Sequence, residues 1–104
     1  MDHQIVISDE AIADLEEIVR FIAQDNQEAA DRFGRKLLAS VRHLAQFPRL
    51  GRVVPDYTGE EIREIIYKSY RIFYRINDDE QVVYIARFWH AARGEPEIPK
   101  DEEG

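Results

Sequence analysis

The sequence predicts a two-layer α+β fold, an antiparallel helical hairpin packed across a small antiparallel sheet in the order β-α-α-β-β-β. Three observations carry that prediction. Two stretches with helical apolar spacing are separated by only a few residues, and three β-type runs then follow with turn-length gaps between them. A short apolar run also precedes the first helix. At 104 residues and 44% hydrophobic content the chain has material for one modest core and none for a second.

The elements follow in order. QIVI (4–7) is a β-type run that reaches Ser8, a fitting helix N-cap with Asp9 and Glu10 in the first turn, where the helix dipole favours acids. Ala11, Ile12, Leu15, Ile18, Val19 and Ile22 keep helical spacing to about Ala23. A second helix opens near QDNQEAA, either from Asp25 with Glu28 as a capping box or from Asn26 as the cap. Its apolar face is Ala30, Phe33, Leu37, Val41 and Leu44, and it stops near Phe47-Pro48 because the residue before proline disfavours helical geometry. So short a connection makes the pair an antiparallel hairpin. Residues 49–60 read as a loop punctuated by Gly51, Pro55 and Gly59. Strands are expected over 62–67, 70–76 and 82–89, joined by hairpin-length turns at Lys68-Ser69 and at 77–80. Residues 1–94 therefore form one domain. The remainder, 95–104, is acidic with two prolines and little to bury, and is expected to be frayed.

Charge is unevenly placed within a net −7. Residues 1–31 hold nine acids and one base, residues 32–93 seven acids and twelve bases, and residues 94–104 five acids and one base. The acidic total disfavours nonspecific nucleic-acid binding, while the middle of the chain is able to present a basic surface. There is no cysteine, which suits a reducing compartment. MDHQIVISDE shows no basic region followed by an apolar run, so a secretory signal is not expected, and no apolar stretch approaches ~20 residues. A cytoplasmic protein with no membrane contact is expected. His3, His43 and His90 lack metal-ligand spacing, and no phosphate-binding glycine loop occurs, so neither a metal nor a cofactor is expected.

Alternation in YRIFYRI (70–76) places Tyr70, Ile72, Tyr74 and Ile76 on one face and Arg71, Phe73 and Arg75 on the other. An aromatic ring between two cations on a solvent face reads as a contact surface for another macromolecule. The alternative is that Arg71 and Arg75 pair with Glu64 or Asp79 across the hairpins. Arg87 and Trp89 join the same surface from the last strand, although a bulge there would turn Trp89 into the core.

The pattern SDEAIADLEEIVRFIA, AADRFGRKLL, FPRLGRVVP, IRE, YRIFYRI and VVYIARFWHAAR resembles the RelE/ParE superfamily of toxins from type II toxin–antitoxin modules. The resemblance runs from about Ile5 to Arg93 and implies the same helical hairpin on a sheet. It implies a growth-inhibiting toxin of the plasmid-stabilisation type, silenced by a cognate antitoxin. RelE-like members cleave ribosome-bound mRNA with basic residues on the sheet face, whereas ParE-like members inhibit DNA gyrase.

For a nuclease, the resemblance implies Arg71, His90 and Arg93 as catalytic residues. Arginine suits the charge of the phosphorane because its planar fork stays protonated, and histidine suits proton transfer near neutral pH. Arg63, Lys68, Arg71, Phe73, Arg75, Arg87 and Trp89 are the candidates for target or antitoxin contact. Three departures favour the ParE-like branch. IREIIYK lacks the paired outward lysines of RelE and carries Glu64 near that region. No tyrosine follows Arg93, where RelE draws one from a C-terminal helix that an acidic tail replaces here. A net charge of −7 disfavours the polyanionic decoding region of the ribosome. The expected function is gyrase inhibition, with an mRNA endoribonuclease or a degenerate, non-toxic antitoxin-binding module as alternatives. The antitoxin is expected as a helix on the hairpin or a strand on the sheet edge, with acidic residues facing Arg63, Arg71 and Arg75.

Overall fold

The computed structural model describes residues 2–55, 57 and 59–99. Strand β1 (Gln4–Ile7) leads through Ser8 into α1 (Asp9–Ala23). Ser8 is extended, and its hydroxyl accepts from the Ala11 N–H and donates to the Ala86 carbonyl, each at 3.1 Å. One residue thus caps the helix and ties its start to the last strand. Helix α2 (Gln27–Gln46) is capped by Asn26, whose Oδ1 accepts from the Ala29 N–H at 3.0 Å. Its buried face is Ala30, Gly34, Leu37, Val41 and Leu44. A side chain at Gly34 would place a Cβ 3.3 Å from Val19, so the glycine permits close approach of the two helices. Pro48 ends the helix, and a single 3₁₀ turn (Pro48–Leu50) redirects the chain.

Four strands follow: β2 (Arg52–Val53), β3 (Arg63–Tyr67), β4 (Tyr70–Asn77) and β5 (Val82–His90). The sheet order is β1-β5-β4-β3-β2. Strands β3, β4 and β5 form the expected antiparallel meander, and β2 adds two residues to the β3 edge. The sheet is mixed rather than wholly antiparallel, because β1 pairs parallel with β5. A parallel pair needs a long crossover, and here everything between β1 and β5, the helical hairpin included, supplies it.

The inner face meets the helices: Ile72, Tyr74, Val83, Ile85 and Phe88 pack against Ala11, Leu37, Val41 and Leu44. Gly51 anchors the turn beneath this core. Its N–H donates to the Tyr74 hydroxyl at 2.9 Å, which donates in turn to the Pro48 carbonyl at 2.7 Å. A Cβ at Gly51 would collide with the Glu64 carbonyl oxygen and the Tyr74 hydroxyl, so this turn requires glycine.

The outer face has its own small core of Val54, Ile62, Phe73 and Ala86, joined by Tyr57, Trp89 and Ile98. Here the structure corrects the expected exposed ring, since Phe73 is 0% exposed. Phe73 does project outward, but a bulge in β5 pairs it with Arg87 and the next residue, Tyr74, with Ile85. Ala86 is thereby left on the outer face beside Arg87 and fills the space next to the ring. The chain around Val54 and Ile62, together with residues 94–99, covers the rest. Of the expected frayed tail, 95–99 follow this course along the sheet, and 100–104 lie outside the described residues. Among the described residues, no helix is long and apolar enough to cross a membrane.

Candidate functional site

The outer face collects Arg71, Phe73 and Arg75 from β4 with Arg87 and Trp89 from β5. Each arginine is ion-paired. Arg71 Nε donates to Glu64 Oε1 at 2.5 Å, and its Nη1 donates to Glu95 Oε1 at 2.8 Å. Glu64 also accepts from Arg52 Nε at 2.7 Å and is only 1% exposed in its side chain. Burial alone pushes the Glu64 carboxyl up. The hydrogen bonds from Arg71 and Arg52 outweigh it and hold the group below the usual carboxylate range. The same bond to Glu64 raises the Arg71 pKa, so that guanidinium is charged at any accessible pH.

Arg75 meets Glu60 through Nε at 3.0 Å and through Nη2 at 3.1 Å, and Nη2 also donates to the Pro99 carbonyl at 2.8 Å. Arg87 grips Asp14 of α1 with two parallel bonds, 2.7 Å from Nε and 2.8 Å from Nη2, leaving Nη1 to donate to the Glu97 carbonyl at 2.8 Å. The bond to Asp14 raises the Arg87 pKa. Guanidinium groups stack on both rings: Arg71 lies 4.7 Å from the centre of Phe73, and Arg87 and Arg93 lie 4.7 and 4.1 Å from Trp89. The Trp89 indole N–H donates to the Gly94 carbonyl at 3.1 Å, and the Tyr57 hydroxyl donates to the Pro96 carbonyl at 2.8 Å.

The structure therefore brings together Arg71, Phe73, Arg75, Arg87 and Trp89, with Arg93 reaching in over the indole. It does not bring in the other three candidates. Arg63 stands opposite Tyr74, on the inner parity, where it donates to the Gly51 carbonyl at 2.7 Å and to Glu61 at 2.8 Å. Lys68 sits exposed in the β3–β4 turn at φ 53° with its ammonium 5.8 Å over Tyr67. His90 pairs with Tyr70, its ring edge-on at 5.2 Å, and its Nδ1 accepts from the Ala92 N–H at 3.1 Å. Tyr70 packs on Phe33 of α2, so His90 shares the inner parity while Arg71, opposite Trp89, faces outward. The three nuclease candidates are split across the sheet.

Sequence reasoning did not select Glu60, Glu95, Asp14 or Tyr57 for this face. Glu64 was within reach of it: the two-residue turn fixes a register that sets Glu64 opposite Phe73 and diagonal to Arg71. Asp14 is seven residues beyond β1, on another layer, and only the packing of α1 on β5 reveals it.

Residues 5–94 match the family described as the ParE toxin of the type II toxin–antitoxin system parDE. The chain is 34% identical over 90 residues to Toxin RelE2 of Caulobacter vibrioides, a match covering 86% of this chain and 97% of that protein. Among solved structures it resembles the chromosomal ParDE system of P. aeruginosa, with a TM-score of 0.70 and 18% identity over 85% of this chain and 95% of that one. It also resembles the archaeal RelE–RelB complex of Pyrococcus horikoshii, at TM-score 0.62 and 17% identity over 90% of this chain and all of that one. At such identities the structural likeness shows the fold, which agrees with the two helices and five-stranded sheet seen here. The length and continuity of the family match settle kinship: the chain belongs to the ParE toxin family of type II toxin–antitoxin systems, within the RelE/ParE superfamily.

Proposed function

We propose that this toxin arrests growth by binding DNA gyrase rather than by cutting RNA, and that a cognate antitoxin silences it. The observation that carries the choice is the state of Arg71. Its guanidinium is committed to the buried Glu64, and the one histidine near the end of β5 lies on the opposite side of the sheet. RNA cleavage needs a free cation at the phosphorane oxygens and a proton donor at the leaving oxygen of the same phosphate, and this pairing supports neither. Binding a protein target needs only the surface. Purified toxin is expected to block supercoiling of relaxed plasmid by gyrase in a dose-dependent way. Intact gyrase activity at saturating folded toxin would overturn the proposal.

An endoribonuclease reading draws on the two guanidinium groups converging on Trp89, an arrangement suited to stacking a base beside its phosphate. Primer extension on message from induced cells distinguishes it, since new 5′ ends that vanish with Arg71→Ala support cleavage. A growth curve unaffected by induction would reduce the protein to an antitoxin-binding module. Two of the exposed apolar places among the described residues suit an antitoxin. Ile12 and Phe21 remain exposed on α1, suited to a helix, and Leu50 and Val53 remain exposed at the two-residue β2 edge, suited to an added strand. The solved RelBE2 complex of Mycobacterium tuberculosis, 22% identical with a TM-score of 0.59, is a toxin–antitoxin assembly on the same fold.

A further inference from the structure

The family match ends at residue 94, and the segment that lies across the outer sheet face begins there. Its contacts are unusual for a tail. The carbonyls of Gly94, Pro96, Glu97 and Pro99 accept in turn from Trp89, Tyr57, Arg87 and Arg75, and the Glu95 carboxylate accepts from Arg71. Pro96 is buried and Ile98 half-buried, with Ile98 against the apolar patch of Val54, Ile62, Phe73 and Ala86. The sequence suits this role. Pro96 and Pro99 have no N–H that would need a partner, and both bias the residue before them towards extended geometry, so ordering the segment costs little entropy. In each of these five hydrogen bonds the segment is the acceptor.

We propose that the outer sheet face is a binding groove for an extended acidic peptide, occupied in cis by residues 94–99, which a partner segment must displace. A partner fitting this groove presents a carboxylate to Arg71, an apolar side chain to the patch under Ile98, and backbone carbonyls to Arg75 and Arg87. The carbonyl-directed donors, and the aliphatic Val54, Ile62 and Ala86 that surround Phe73 where Ile98 packs, favour a peptide side chain and backbone over a nucleic acid. The biological meaning of the groove, as the place where antitoxin or target engages, rests on the toxin reading above. The groove itself does not.

The test uses the full-length chain and a fluorescently labelled synthetic peptide, GEPEIPKDEEG, matching residues 94–104. A protein carrying Glu95→Lys and Ile98→Asp has its own segment released, and it is expected to bind the added peptide at least about tenfold more tightly than wild type, because the competent fraction rises. The single tryptophan, Trp89, reports release independently through a shift in its emission that added peptide reverses. Should the double variant fold poorly, Glu95→Gln alone, at an exposed position, is expected to give a smaller gain of about threefold that disappears at high salt. Equal peptide affinity and unchanged Trp89 emission in variant and wild type would overturn the groove. Displacement of the labelled peptide by a short oligouridylate, but not by unlabelled peptide, would overturn its assignment to peptides. A protein that passes the peptide test yet fails to arrest growth contradicts the toxin reading alone. One that arrests growth yet binds peptide equally with and without its segment contradicts the groove alone.

Discussion

The two faces of the sheet are covered by different physics. Inside, α1 and α2 bury Ala11, Leu37, Val41 and Leu44 against Ile72, Tyr74, Val83, Ile85 and Phe88. That contact is apolar, non-directional and broad, and it scales with the area removed from water. Outside, six residues lie over a smaller patch of Val54, Ile62, Phe73 and Ala86 and are held chiefly by directional bonds from arginines, a tyrosine and a tryptophan. The inner cover holds the fold together. The proposed groove requires that the fold survive without the outer cover.

The sharpest way to break this contrast is to hollow the inner contact. Leu37 is 0% exposed, and Leu37→Ala is expected to lower unfolding free energy by about 2–5 kcal/mol, read by urea denaturation. A loss under about 1 kcal/mol would mean the hairpin is not what stabilises the sheet.

Next comes Glu64, which belongs structurally to the sheet rather than to its cover. Glu64→Ala removes the buried partner of Arg71 while Arg52 stays solvated, and a cost of about 3 kcal/mol is expected, at the low end for a buried pair because Arg71 keeps Glu95. The sign of the pH dependence follows from its depressed pKa. Above the unfolded-state value, about 4.3, the carboxylate contributes its full stabilisation; as pH falls the unfolded chain takes up the proton first, and the contribution is lost as pH falls through the lower folded value. Glu64→Gln should therefore flatten the acid limb of stability against pH below about 4.3. An unchanged acid limb in that variant would show that the carboxylate is not the group being titrated.

The smallest effect is expected from the outer cover. Ile98→Ala should cost about 1 kcal/mol or less in global stability, since the side chain is half-buried and the strand beneath is held from the other side. A loss equal to that of Leu37→Ala would erase the distinction between the faces.

The same contrast explains what was legible in the sequence. The helical stripes, the caps at Ser8 and Asn26, the proline stop and the meander could be read because apolar periodicity and capping chemistry depend on residue type. The outer cover could not be read that way. Every residue has a carbonyl, so acceptance by Pro96, Glu97 and Pro99 leaves no mark in composition, and an acidic proline-containing tail looks like one with nothing to bury. Phe73 was assigned to the correct face and the wrong environment for the same reason, since alternation gives the side of a sheet but not what lies over it. The parallel pairing of β1 with β5 was missed because it joins segments about seventy-eight residues apart, beyond any local signal. Among the candidate site residues, the strand parities of Arg71, Arg75 and Arg87 were legible, while the separation of His90 from Arg71 emerged only with the register.

Hydrogen exchange of the Trp89 indole N–H, followed by NMR beside the backbone amides of Leu37 and Val41, tests the central contrast most directly. If the outer segment opens on its own, the indole proton exchanges far faster than those amides, and its rate is unaffected by Leu37→Ala while theirs rises. An indole proton that exchanges only with global unfolding, accelerating in step with the α2 amides in that variant, would contradict a releasable cover.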